Sequence, residues 1–157
     1  MHHVKAVTVC VPVVLALATM STIARANIVY WDGGGDGVSW HDPLNWSGDN
    51  LPGPSDEVRI LFPNVTVVHS AGDHTVKSVT SQGSLTLSGG ALGVTGAVVV
   101  SKTFLLQGAV LWHATVAGPT TLTASGSWGY LDGVTIGAGA VLRLPPGTGV
   151  RSRVEIT

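Results

Sequence analysis

From residue 92 to residue 140 an apolar side chain returns at every sixth position. Leu92, Val98, Phe104, Val110, Val116, Leu122, Trp128, Val134 and Ala140 form one column. Two places further on runs a second: Val94, Val100, Leu106, Trp112, Gly118, Ala124, Tyr130, Ile136 and Leu142. Two places beyond that, small residues recur at Gly96, Gly108, Ala114, Thr120, Gly126 and Ala138, with Lys102, Asp132 and Leu144 as exceptions. Even spacing puts both columns on one side of an extended chain, and the small residue falls where a bend can form. No segment after residue 26 carries a convincing 3.6-residue apolar stripe of the kind a helix needs. The rhythm predicts an all-β fold, a parallel β-solenoid or β-helix. Its coil would hold about 18 residues, and coils would stack ~4.8 Å apart like strands of one sheet. A β-sandwich or barrel is the alternative that alternation by itself leaves open. Period-two runs at 58–62, 65–67, 85–87 and 154–156 also read as short strands.

A solenoid is weakest at its ends, where an uncovered coil exposes apolar side chains and unpaired backbone groups. Residues 27–62 stand just before the repeats and include WDGGGDGVSWHDPLNWSGDN. Trp31, Trp40 and Trp46, three of the five tryptophans, fall there among glycine, aspartate, asparagine and proline. Bulky rings at that position are expected to pack over the first coil as a cap. Trp112, Trp128 and Tyr130, which lie in the repeat columns, are expected to point into the core.

The chain therefore divides into a leader at 1–26, a tryptophan-rich cap at 27–62 and solenoid coils at 63–157. The leader reads as a signal peptide. A short basic n-region ends in Lys5, an apolar run covers 6–20, and Ala24-Arg25-Ala26 matches the A-x-A cleavage pattern. The apolar run is shorter than the roughly 20 residues that span a bilayer, so the expected tie to a membrane is the export signal alone. Cys10, the single cysteine of the 157 residues, lies in this leader. After cleavage no disulfide, thiol nucleophile or thiolate metal ligand would remain, which suits a bacterial envelope protein better than a small disulfide-stapled domain. Six lysines and arginines then face nine carboxylates, a formal net charge of −3. That balance argues against nucleic acid as a partner, since phosphates call for a basic face.

One stretch is similar to a known family. Trp31, Gly33, Gly35, Trp40, Asp42, Pro43, Asn45, Trp46, Ser47, Gly48, Pro52, Asp56, Val58 and Ile60 form a pattern. It resembles the N-terminal module of large secreted bacterial β-helix proteins, including autotransporter-like passengers and surface adhesins. The glycine-rich alternation of SLTLSGGALGVTG and LDGVTIGAGAVLRL is similar to the coils that follow in those proteins. The resemblance implies a structural or adhesive role at the cell surface, with surface polysaccharide or other envelope proteins as partners. It brings no catalytic residues. Members of that family are typically much longer, and this chain reaches Thr157 without a recognisable terminal cap or anchor; the expectation is a fragment of a longer protein.

Asp32 and Asp36 offer hard oxygens for calcium, but their spacing reproduces neither an EF-hand loop nor the calcium-binding nonapeptide of β-rolls. Aspartate and glycine are also ordinary turn formers, so no cofactor is expected, with calcium the one ion the loop could serve. Trp31, Trp40 and Trp46, flanked by Asp42 and Asn45, would make a stacking platform for a sugar ring if their faces were open. A carbohydrate-binding module is thus the alternative function. His41, His69, His74 and His113 show no recognised metal-ligand spacing, and zinc is not expected. Between Ser78 and Leu131 the sole charged residue is Lys102, poor ground for general acid–base catalysis. A hexapeptide-repeat acyltransferase with His113 as base is a minor alternative, opposed by the export signal and the doubled apolar column. The expectation is a non-enzymatic, exported surface protein.

Overall fold

The structure, a computed structural model, describes residues 27–126 and 129–147 in full and 150–156 by their backbone. Residues 1–26, where a signal peptide is expected, and Trp128 lie outside the described residues. Strand β1 (Ile28–Tyr30) opens the described chain, and the capping segment after it holds a 3-10 turn at Pro43–Asn45. The first circuit is β2 (Glu57–Ile60), β3 (Thr66–His69) and β4 (Asp73–Val76). The second is β5 (Ser78–Ser81), β6 (Ser84–Leu87) and β7 (Ala91–Val94). A third follows in β8 (Ala97–Val100), β9 (Phe104–Leu106) and β10 (Val110–Trp112). Then come β11 (Thr115–Val116), β12 (Thr121–Ala124) and the long β13 (Gly129–Ile136), and finally β14 (Val141–Arg143) and β15 (Val150–Ile156).

Every pair of these strands is parallel, and each strand pairs with its counterpart one circuit later. β1, β2, β5, β8 and β11 stack on one face; β3, β6, β9, β12 and β14 stack on a second; β4, β7 and β10 stack on a third. β13 turns the corner between the third and first faces. Its residues Tyr130 to Asp132 pair with β10, while Thr135 and Ile136 pair with β11. This is the three-faced parallel solenoid that the six-residue rhythm predicts, wound through about four turns. β1 pairs in register with β2, so the segment 27–62 contributes two strands to the stack as well as the cap.

The core is a set of ladders. On the second face Val67, Leu85, Phe104 and Leu122 lie in register across successive circuits, all fully buried. On the first, Val58, Val79, Val98 and Val116 do the same. Each such side chain contributes about 1.5–3 kcal/mol by leaving water, and it does so only against its neighbours above and below. That dependence is why the stack folds as an array.

The circuits are not uniform, and this corrects part of the column assignment. Thr66 pairs with Ser84, 18 residues on; Ala91 pairs with Val110, 19 on; Val110 pairs with Tyr130, 20 on. One added residue reverses which side of the strand faces inward. After Leu106 the next inward strand residue is Leu111 rather than a member of the sixfold columns, so Val110 and Trp112 flank it on the outside of β10, half-buried. The same slip leaves Leu131 inside and Tyr130 41% exposed on β13. Trp112 and Tyr130, expected in the core, are therefore surface residues. The phase is recovered at the next corner, where Val116 and Val134 again point inward. At that corner His113 takes φ of +57° and Gly133, one circuit later, +59°. The left-handed backbone absorbs the odd residue. Where Trp112 lies over β7 the chain carries Gly93, because a Cβ there would meet the indole at 2.5 Å.

Candidate functional site

The capping segment closes the start of the stack. Trp31, Trp40 and Trp46 are buried, at 2%, 0% and 0% exposure. Trp46 meets Trp31 edge to face at 4.9 Å between ring centres and Trp40 at 4.8 Å. Its Nε1–H donates to the Trp40 carbonyl at 2.8 Å. Rings packed edge to face inside a core present no shared open plane, so the sugar platform proposed for these three has no surface here; the faces that would stack on a pyranose are spent on each other and on the first coil.

The polar residues between the tryptophans fold the loop. Asn45 is fully buried. Its Oδ1 accepts from the Gly35 and Gly37 amides, and its Nδ2 donates to Asp36 Oδ1 and the Ser39 carbonyl. Asp36 Oδ1 accepts from the Val38 and Ser39 amides as well, and these bonds, Ser39 foremost, hold its carboxyl below the ordinary aspartate range. Asp42 Oδ1 caps the 3-10 turn through Leu44 N, and its Oδ2 accepts from Asp36 N. Asp32 Oδ1 accepts from Gly34 N. The residues read as calcium or sugar ligands, Asp32, Asp36, Asp42 and Asn45, are thus engaged with the loop's own amides, the ordinary turn use of Asx side chains.

The loop then docks on the coil. Trp40 N donates to the Val68 carbonyl and Val68 N to the Val38 carbonyl, both at 2.9 Å. This covers the free edge of β3, which would otherwise offer unpaired backbone to another chain. The docking carries His41, next to Trp40, over the corner between β3 and β4.

At that corner three histidines meet. His41 and His69 ring centres are 4.8 Å apart, His41 and His74 5.1 Å, His69 and His74 5.1 Å. One ring nitrogen from each lies within 4.8 Å of the others, and among the described residues this is the group of metal-type ligands that converges. His69 is fully buried; the other two are half-buried. Burial pushes the His69 imidazolium down to about 4, with neighbouring His41 and His74 acting the same way and the Gly89 hydrogen bond opposing them. His69 is therefore neutral near pH 7. Its Nδ1 lies 3.0 Å from the Gly89 carbonyl, which only accepts, so Nδ1 carries the hydrogen. His69 Nε2 is then a lone pair, and it receives the Nδ1–H of His74 at 3.0 Å. His41 Nε2 accepts from the Ser70 and Ala71 amides at 3.1 and 3.0 Å.

Sequence spacing did not reveal this cluster, since His41 lies 28 residues before His69. A signal was nonetheless present. One 18-residue circuit after His69 and His74 stand Leu87 and Leu92, their partners in register. Leu106, Leu111 and Leu131 continue those two ladders. Two histidines thus occupy inward places that later circuits give to leucine. His113, the proposed acyltransferase base, stands apart at an exposed corner, against Trp112 at 4.6 Å between ring centres.

No family model, curated protein or solved structure matches this chain.

Proposed function

We propose that this protein is an exported, non-enzymatic scaffold of the bacterial surface, a β-solenoid that displays its three faces to surface polysaccharide or other envelope proteins. The observation that carries this reading is the repetitive stack itself, closed at its start by a buried tryptophan cap. Such an architecture makes long, regular, poorly charged surfaces suited to contact and display. The absence of charge between Ser78 and Leu131, apart from Lys102, supports it further, because acid–base chemistry needs ionisable groups in a cleft. The A-x-A pattern before Asn27 supports export, and β1 begins within two residues of that point. The adhesin-like pattern from Trp31 to Ile60 supports a role in attachment.

The test is expression of the full chain with a C-terminal tag in a Gram-negative host, followed by fractionation and N-terminal sequencing. The reading expects an envelope or secreted product beginning at Asn27, and binding of that product to whole cells or isolated envelope polysaccharide. A product retained in the cytoplasm with Met1 or His2 at its terminus would defeat it.

A further inference from the structure

We infer that His41, His69 and His74 form a site for one divalent transition-metal cation of the zinc, cobalt, nickel and copper class, clamping the cap to the first coil. The donor set is three imidazole nitrogens, which suits these ions and not calcium or magnesium. In a tetrahedral site with metal–nitrogen bonds of about 2.0–2.1 Å, ligand nitrogens stand about 3.3 Å apart. His69 Nε2 and His74 Nδ1 are already 3.0 Å apart, and the third donor lies within 4.8 Å of both. A ring rotation of His41 brings it in, at the cost of its two amide hydrogen bonds.

The outer contact is already made. The Gly89 carbonyl holds the His69 Nδ1–H at 3.0 Å, which fixes the ring and aims the Nε2 lone pair at the cluster. Metal-bound histidines are oriented in this manner, through the nitrogen that does not ligate. Ligation by His74 Nδ1 moves its hydrogen to Nε2, so the ion enters with no net change in protons on either ring. His41 and His74 are half-buried, leaving access from solvent and a fourth position for water or an outside ligand.

Placement argues the same way. Leucine in both ladder positions would continue the dry core, as it does at Leu87 and Leu92. An imidazole is the costlier choice there, yet histidine takes both places, His69 fully buried and His74 half-buried, beneath a third histidine delivered by the cap. The three ligands belong to two units, His41 to the loop and His69 and His74 to β3 and β4. An ion bound by all of them ties the lid to the stack, and stabilises whichever state holds them together.

The experiment uses the full chain, stripped with EDTA and titrated with Zn²⁺ by calorimetry and with Co²⁺ by visible absorption. Expected are one ion per chain, the intense visible bands of tetrahedral cobalt, and a rise in melting temperature with Zn²⁺. His74→Leu puts in the residue the later circuits use, and should fold. It should weaken binding by more than the 10–100-fold that loss of an outer-shell partner costs. His41→Gln lies outside the ladders and gives the same reading should His74→Leu fail to fold. His2→Ala, His3→Ala and Cys10→Ser together, and His113→Ala separately, should leave the affinity unchanged. Absence of stoichiometric binding, or binding that survives both His41→Gln and His74→Leu, overturns the site.

Discussion

Trp40 and Trp46 are chemically identical, equally buried and in contact, yet replacing each by phenylalanine should have very different consequences. Trp46 Nε1–H donates to the Trp40 carbonyl at 2.8 Å. Trp40 Nε1–H is buried with no hydrogen-bond partner. Truncating either indole to a phenyl ring removes the same atoms from a core at 0% exposure, so the packing loss is similar and largely cancels in a comparison. The polar contribution has opposite signs. Trp46→Phe leaves a buried carbonyl without this donor, a loss of about 1–3 kcal/mol. Trp40→Phe deletes an N–H that already carries its full desolvation cost, returning about 1–3 kcal/mol. Trp46→Phe should therefore be less stable than Trp40→Phe by at least about 2 kcal/mol, a large share of a typical domain's 5–15 kcal/mol. Urea unfolding followed by far-UV circular dichroism measures this. Arrays can unfold in pieces, so amide exchange at Trp40, whose N–H bonds to Val68, should be read in parallel for the cap alone. Equal losses in the two variants, or a greater loss in Trp40→Phe, would refute the assignment of these hydrogen bonds.

Asn45→Ala removes four hydrogen bonds at a fully buried position; a loss of about 3 kcal/mol or more is expected, with faster amide exchange at Gly35 and Gly37 as its signature. Gly93→Ala pushes a methyl into the Trp112 indole and should cost about 1–3 kcal/mol; fluorine NMR of fluorotryptophan-labelled protein should show the Trp112 resonance moving while those of Trp31, Trp40 and Trp46 hold. Asp36 titrates below its ordinary value of 3.8 because the Ser39 and Val38 amides and Asn45 bond to its charged form. The unfolded chain thus binds protons more readily, and the stabilisation is complete above the unfolded value and lost as pH falls through the folded one. Acid should accordingly loosen the cap before the coils, seen as faster Val38 and Ser39 amide exchange once the pH falls below 3.8, and Asp36→Asn should flatten that dependence.

The residues by themselves determined the class of fold. Side chains alternating every two residues and returning every six admit few arrangements in which all apolar groups are dry, and the parallel solenoid is the one found. A bulky aromatic loop before the first repeat likewise has an evident place, because the end of a stack must be covered. What tertiary structure alone decided was phase and convergence. Trp112 and Tyr130 face outward because the circuits run to 19 and 20 residues there, and a one-residue insertion reverses a strand's two sides while leaving its local pattern intact. His41 reaches His69 only through the docking of residues 38–40 on Val68. Local spacing carries no trace of that contact, because a loop's landing place is set by the backbone groups its edge strand leaves unpaired, far away in the chain.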